Sequence, residues 1–259
     1  SILSNVCKRL QFYRLTKVHR MRRSGNWWGL VAMGLLLISS CADPPQYSLI
    51  PSIEFDNVIF KDVADPAVDS LIVTVKFKDG DGDLGIDATE TGDPFNDKFY
   101  YIFPNGTFIT YKTKRTDSHY DTLPAFVKPY NCTNWEVRTV NSKIDTFYYK
   151  ANPHAHNIKV QYFVKNFDGS FTEFKWTEQF GYPFCATSFD GRFPILSKNL
   201  SQKIPLEGTI RYGMVSSGFL ALFSIKTLKL KITIEDRALN QSNTVESPEF
   251  TLQSIKRGG

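Results

Sequence analysis

The chain has 259 residues, with 31 Lys and Arg against 26 Asp and Glu, and 14% of its residues are aromatic. Seven basic residues and no acidic ones lie in residues 1–40 (Lys8, Arg9, Arg14, Lys17, Arg20, Arg22, Arg23), so the other 219 residues carry 24 basic against 26 acidic side chains, a net −2. That balance excludes the basic footprint of a nucleic-acid-binding domain, while the length and the abundant Phe and Tyr suffice for a large core without metals or a dense disulfide framework.

Residues 1–20 hold five basic residues and precede Met21-Arg-Arg-Ser-Gly-Asn. The expectation is that Met21 is the initiator and 1–20 is upstream read-through; a longer basic leader is the alternative. From Trp27 to Cys41 the chain reads WWGLVAMGLLLISSC, uncharged and apolar, after Arg20, Arg22 and Arg23 and before Ala42-Asp43-Pro44-Pro45. A spanning helix needs about 20 apolar residues, whereas runs of about 10–14 belong more often to signal peptides or buried helices. With Ile38-Ser39-Ser40-Cys41 at its end, the segment 21–40 resembles a bacterial lipoprotein signal peptide with its lipobox. The resemblance implies a diacylglycerol on the Cys41 thiol and, after cleavage, an acyl chain such as palmitate on its amine. Stable anchoring takes more than one chain, each buried methylene adding about 0.8 kcal/mol. A retained single-span anchor is the competing reading. Ala42, not Asp, follows Cys41, which by the same resemblance implies the outer membrane, with the periplasmic or cell-surface face left open.

A Pro-containing tether without periodicity covers 41–52, and strand-like alternation dominates the ectodomain from 53 to 253. Leu71, Val73, Val75 and Phe77 share one face; so do Ile158, Val160, Tyr162 and Val164, and Leu228, Leu230, Ile232 and Ile234. Period two with one polar face predicts half-buried antiparallel strands. Further strands are predicted at 54–61, 98–103, 107–112, 145–150, 170–176, 208–213 and 248–253, with turns at Asn105-Gly106 and Asp168-Gly169. No long amphipathic helix is apparent. The class is all-β, an antiparallel, immunoglobulin-like β-sandwich, as one unit or two with a boundary near 125–150. The stretch Ile232 to Leu252, ITIEDRALNQSNTVESPEFTL, resembles the last two strands of bacterial immunoglobulin-like or cadherin-like modules, which implies a fold and no activity. Cys132 and Cys185 form an even pair, expected to bridge in an oxidising compartment. Closing that loop of just over fifty residues is worth about 4 kcal/mol in the chain-entropy account; two buried thiols are the alternative.

Asp79-Gly-Asp-Gly-Asp-Leu-Gly85 is the sharpest motif of the ectodomain. Its glycines fit GxGxxG, but a dinucleotide site needs a helix N-terminus for the pyrophosphate, and three carboxylates repel phosphate. Calcium fits better, because alternate side chains of an extended segment share a face. Asp79, Asp81 and Asp83 then converge, and Asp87 and Glu90 complete a set near the six to eight oxygens calcium takes. The spacing is not an EF-hand, since Leu84 stands where that loop needs Gly. A glycine-rich turn with solvated carboxylates is the other reading. Asp236-Arg-Ala-Leu-Asn240 either brings a further carboxylate to this loop or is a turn in which Asn240 takes an unusual backbone angle.

Other motifs are weaker. His154 and His156 either put two imidazoles on one strand face, in the pattern of some zinc sites, with no third ligand identifiable, or are solvated residues of a loop beside Asn152-Pro153 and Asn157. Trp135, Trp176, Phe180, Tyr182, Phe184, Phe189 and Phe193 read as core, or in part as a sugar-stacking or partner patch. Asp69-Ser70-Leu71 and Asp121-Thr122-Leu123 resemble the sites at which some Gram-negative bacteria O-glycosylate exported proteins, on Ser70 and Thr122. No nucleophile elbow or triad spacing appears, although a pair of carboxylates would suffice for a glycosidase. The expectation is therefore a non-catalytic, outer-membrane-anchored binding or scaffolding module that calcium stabilises. Its alternatives are a surface glycan-binding or carbohydrate-processing protein and an accessory subunit of an outer-membrane complex.

Overall fold

A computed structural model describes residues 45–63, 68–123, 134–140, 142–176 and 188–257. In β2 (Ser70–Asp79) burial follows the alternation of the sequence: Leu71, Val73, Val75 and Phe77 are buried while Lys76 and Lys78 are exposed. β2 lies between β1 (Ser52–Lys61) and β8 (Leu206–Val215), antiparallel to both, with a register shift in β1 between Phe55 and Asn57. β11 (Lys256–Arg257) adds a short parallel pairing to β1, so the first sheet runs β11-β1-β2-β8. The second sheet centres on β6 (Ile158–Lys165) and β9 (Leu228–Ile234), whose inward residues are again alternate. β7 (Phe171–Phe174) and β10 (Val245–Glu246) complete it in the order β10-β9-β6-β7.

The two inner faces share one core. Tyr162 of β6 is fully buried, and its hydroxyl donates to the Sδ of Met214 in β8 at 3.0 Å. Phe219 and Phe223, from a short helix Phe219–Phe223, stack on Tyr162 with centroids 6.5 and 6.0 Å away. Trp176 meets Tyr162 and Phe174 meets Phe223 edge-on, while Phe189 stacks on Phe219. Each such ring contributes about 1.5–3 kcal/mol by leaving water. A third, smaller sheet, β3 (Lys98–Tyr100), β5 (Lys143–Ala151) and β4 (Trp135–Val140) in the order β3-β5-β4, comes from the chain between β2 and β6. Residues Gln46–Gly259 form one compact unit. No described helix is long and apolar enough to cross a membrane.

The protein is thus all-β with antiparallel sheets and a sandwich-like core, as its alternation predicts. Three strand expectations need correction. The segment 107–112 forms isolated bridges at Phe108 and Thr110, and then a helix, α1 (Tyr111–Thr116), because Thr110 and Thr113 form a capping box. The stretch 98–103 pairs as a strand only to Tyr100, because the Asn105-Gly106 turn, with φ +81° at Gly106, folds it back through a single bridge, Ile102 to Phe108. The segment 248–253 keeps one bridge, Phe250 to Leu228; Pro248 has no N–H for a ladder, and a turn closed by Thr251 and Ser254 follows.

Candidate metal centre

Two inward rows end in carboxylates at one end of the core. The buried row of β2, Leu71-Val73-Val75-Phe77, continues in step to Asp79, which is 0% exposed. The buried row of β9, Leu228-Leu230-Ile232-Ile234, continues to Asp236, 2% exposed. The pleat turns every second side chain to the same face, so both aspartates point where a hydrophobic residue would be expected. An isolated bridge between Leu84 and Asp236 ties the two strand ends together, with Leu84 fully buried. This explains why Leu stands at the position where an EF loop needs Gly: it fills the core.

Asp79, Asp83 and Asp236 bring a carboxylate oxygen each to within 4.8 Å of one another. Calcium binds oxygens at about 2.3–2.6 Å, which places any two ligands of one ion within about 5 Å. One Asp79 oxygen accepts the Asp83 N–H at 3.1 Å; its Oδ1 is buried and has no hydrogen-bond partner. Asp83 Oδ1 and Asp81 Oδ1 are also buried and without a partner. Asp236 is oriented by Asn240, whose backbone N–H donates to Oδ1 at 2.7 Å and whose side-chain amide donates to Oδ2 at 2.9 Å. That turn is made possible by Leu239 at φ +67°, not by Asn240 as the sequence predicts.

Burial pushes the Asp79 carboxyl up to about 6, and the Asp83 and Asp81 charges add to the effect. Asp83 is likewise pushed up to about 6 by burial, then by Asp236 and Asp81. Buried carboxylates this close are costly unless a cation or proton neutralises them. The cluster has hard, anionic oxygen donors, unsatisfied lone pairs and the spacing of one cation shell, so these residues fit calcium.

Two expected ligands stand apart. Asp87 is exposed and its Oδ1 accepts from the N–H and hydroxyl of Thr89 at 2.8 and 2.6 Å. Both oxygens of Glu90 are held by the Arg237 guanidinium at 2.5 and 2.7 Å, which keeps its carboxyl below the usual range. Arg237 also donates to Gly85 O at 3.1 Å and lies over the Phe95 ring. Asp81 approaches the cluster in sequence and is mostly buried; its nearest cation is Lys203 at 4.0 Å. Of the expected residues Asp79 and Asp83 converge, and Asp236 joins them from the other sheet; Asp81 lies beside this group, with one buried oxygen that has no hydrogen-bond partner. The signal for Asp236 was the phase of β9, one step beyond Ile234.

His154 Nδ1 meets Glu235 Oε1 at 2.9 Å, and His156 is half-buried, its imidazole pKa lowered by burial. Among the described residues, Asp79, Asp83 and Asp236 are the sole group of three or more potential metal ligands. Trp135, Trp176 and Phe193 are buried in the core; Phe180, Tyr182 and Phe184 lie outside the described residues, as do Cys41, Cys132 and Cys185. Ser70 is half-buried in β2, paired on both sides with Lys61 and Val215, whereas Thr122 is exposed in a turn. A separate cavity of about 610 Å³ is lined by Asp97, Lys98, Tyr149, His156, Lys159 and Asp190, among others. No protein-family profile, curated protein or solved structure matches the chain.

Proposed function

We propose that the chain is an outer-membrane lipoprotein, anchored through Cys41, whose immunoglobulin-like sandwich is a non-catalytic binding or scaffolding module stabilised by one calcium ion. The ion is held by Asp79, Asp83 and Asp236 with Asp81 in support. One observation carries the calcium reading: a fully buried Asp79 with an unpartnered oxygen facing two other carboxylates. Calcium supplies the charge that lets the two strand ends meet without repulsion. In this reading the ion is structural, and Glu90 and Arg237 form a neutral pair beside it. The oxidising compartment also favours a Cys132–Cys185 bridge.

The test is thermal melting at millimolar calcium, because extracellular modules bind at roughly 0.1–1 mM. At a hundredfold excess over Kd the stabilisation is about 2.7 kcal/mol. Calcium raises Tm more than magnesium, and Asp81→Asn with Asp83→Asn removes the rise. An unchanged wild-type Tm makes the loop only a turn. A glycan-binding function is the second reading. It draws on the cavity, which carries two carboxylates, Asp97 and Asp190, and lies within the ~300–1,000 Å³ range of small-molecule sites.

A further inference from the structure

The acidic loop is a crossing point for four backbone segments. A Cβ at Gly80 would stand 2.6 Å from Tyr47 O and 2.7 Å from Ser48 O, so the tether lies directly on the loop. Gly82, at φ +66°, presses on Ile204 O, and Gly85, at φ +110°, presses on the backbone of Pro194 and Ile195. The Asp236 turn comes from the other sheet. The tether is held beside the loop by its own contacts: the Tyr47 hydroxyl donates to Glu207 Oε2 at 2.6 Å, and Lys78 sits over the Tyr47 ring at 5.4 Å. Both partners flank the cluster, since Lys78 precedes Asp79 and Glu207 follows Leu206, the residue paired with Asp79.

We infer that the cation site is a latch on the tether: an ion bound by Asp79, Asp83 and Asp236, with Asp81 beside them, fixes the Gly80 loop against Tyr47 and Ser48 and so holds residues 46–51 on the sandwich. This rests on the calcium reading. The three unpartnered, buried carboxylate oxygens lie on the same loop whose glycine meets the tether: Asp79 and Asp81 flank Gly80 directly, and Asp83 follows three residues on. Without the ion, repulsion among Asp79, Asp81 and Asp83 acts on Gly80 itself, which lies between the first two. An extended chain spans about 3.3–3.6 Å per residue. With the latch closed, Cys41 to Tyr47 reaches at most about 20 Å; with it open, Cys41 to Ser52 reaches about 37 Å. On a lipid-anchored chain, calcium would then set how far the sandwich stands from the membrane.

Hydrogen–deuterium exchange on the full chain in detergent tests this, with and without millimolar calcium. The latch predicts that chelation speeds exchange at 46–51 by tenfold or more while β2 and β8 stay protected. Coupling between two events is reciprocal, so Tyr47→Ala, which removes no carboxylate, should raise the calcium Kd by the factor by which calcium protects the tether. Gly80→Ala should expose 46–51 even in calcium; if it fails to fold, Tyr47→Ala carries the test alone. Calcium binding measured by terbium luminescence, with exchange at 46–51 unmoved and Tyr47→Ala neutral for Kd, overturns the latch and leaves the metal site standing. Absence of binding in the wild type overturns the metal site and the latch with it.

Discussion

At the scale of single residues, the cluster places charge where the pleat demands hydrophobicity. Asp79 occupies the fifth inward position of β2, after Leu71, Val73, Val75 and Phe77. Removing its charge should have opposite effects in two conditions. In chelator, Asp79→Asn relieves repulsion from Asp83 and Asp81 and melts above the wild type; in millimolar calcium it loses a ligand and melts below it. A variant that is destabilised equally in both conditions would show that Asp79 is ordinary core. The pH dependence of the metal-free protein has a definite sign. Asp79 and Asp83 titrate near 6 in the fold, above about 3.9 for the unfolded chain. Their stabilising contribution is thus fully present below about pH 4 and is lost as pH rises through about 6. The charges facing them are Asp81, Asp236, Arg237 and Lys203, with Glu90 already paired to Arg237. In chelator, the stability advantage of Asp79→Asn over the wild type should be small at pH 4.5 and grow to on the order of 2 kcal/mol at pH 7.5. Urea titrations at the two pH values measure it; an advantage that shrinks toward pH 7.5 refutes the assignment.

At the scale of elements, the glycines of the motif are explained by neighbours rather than by ligands. A Cβ at Gly85 would lie 2.3 Å from Ile195 Cα and Pro194 O, at φ +110°; one at Gly106, φ +81°, meets nothing within 4 Å. Gly106→Ala therefore incurs only the left-handed backbone cost, about 1 kcal/mol. Gly85→Ala must also displace the 194–195 backbone and should cost about 3 kcal/mol or more. Chemical denaturation of the two variants decides it, and equal losses would mean that the close approach is not real. The same contrast marks what the sequence makes legible. β2, β6 and β9 are read correctly because each has a local period of two. Asp79, Asp81 and Asp83 are read because they are adjacent. Asp236 joins them only through the crossing of two sheets, and Glu90 leaves them only because Arg237, far along the chain, takes both its oxygens. β4 carries only a short alternation, Trp135-Glu136-Val137-Arg138, and Val137 is exposed although it shares a face with the buried Trp135. The two-residue strands β10 and β11 are too short to carry a period.

At the scale of the whole molecule, the two larger sheets share one core in an all-β, sandwich-like body. Its core combines aliphatic rows of β2, β6 and β9 with a cluster of aromatic rings, its one convergent ligand set among the described residues lies where strand ends of the two sheets meet, and residues 47–48 run over that junction. On the proposed lipoprotein reading, function depends on where this body is held, which makes the anchor the decisive feature to test. That reading takes Ile38-Ser39-Ser40-Cys41 as a lipobox, and the thioether that would form on Cys41 is what a lipoprotein peptidase recognises before it cuts. Cys41→Ser should therefore abolish acylation and leave the precursor uncleaved, migrating above the wild type on a denaturing gel. Cells fed a clickable palmitate analogue supply the direct measurement. The wild type should carry label in the outer-membrane fraction, and the serine variant should carry none. The variant's sandwich is untouched, so its calcium response after purification should match that of the wild type, which separates anchoring from folding. Equal labelling of the two proteins would sink the lipoprotein reading, and with it the membrane standoff controlled by the tether, while leaving the metal centre to be judged on its own melting curves.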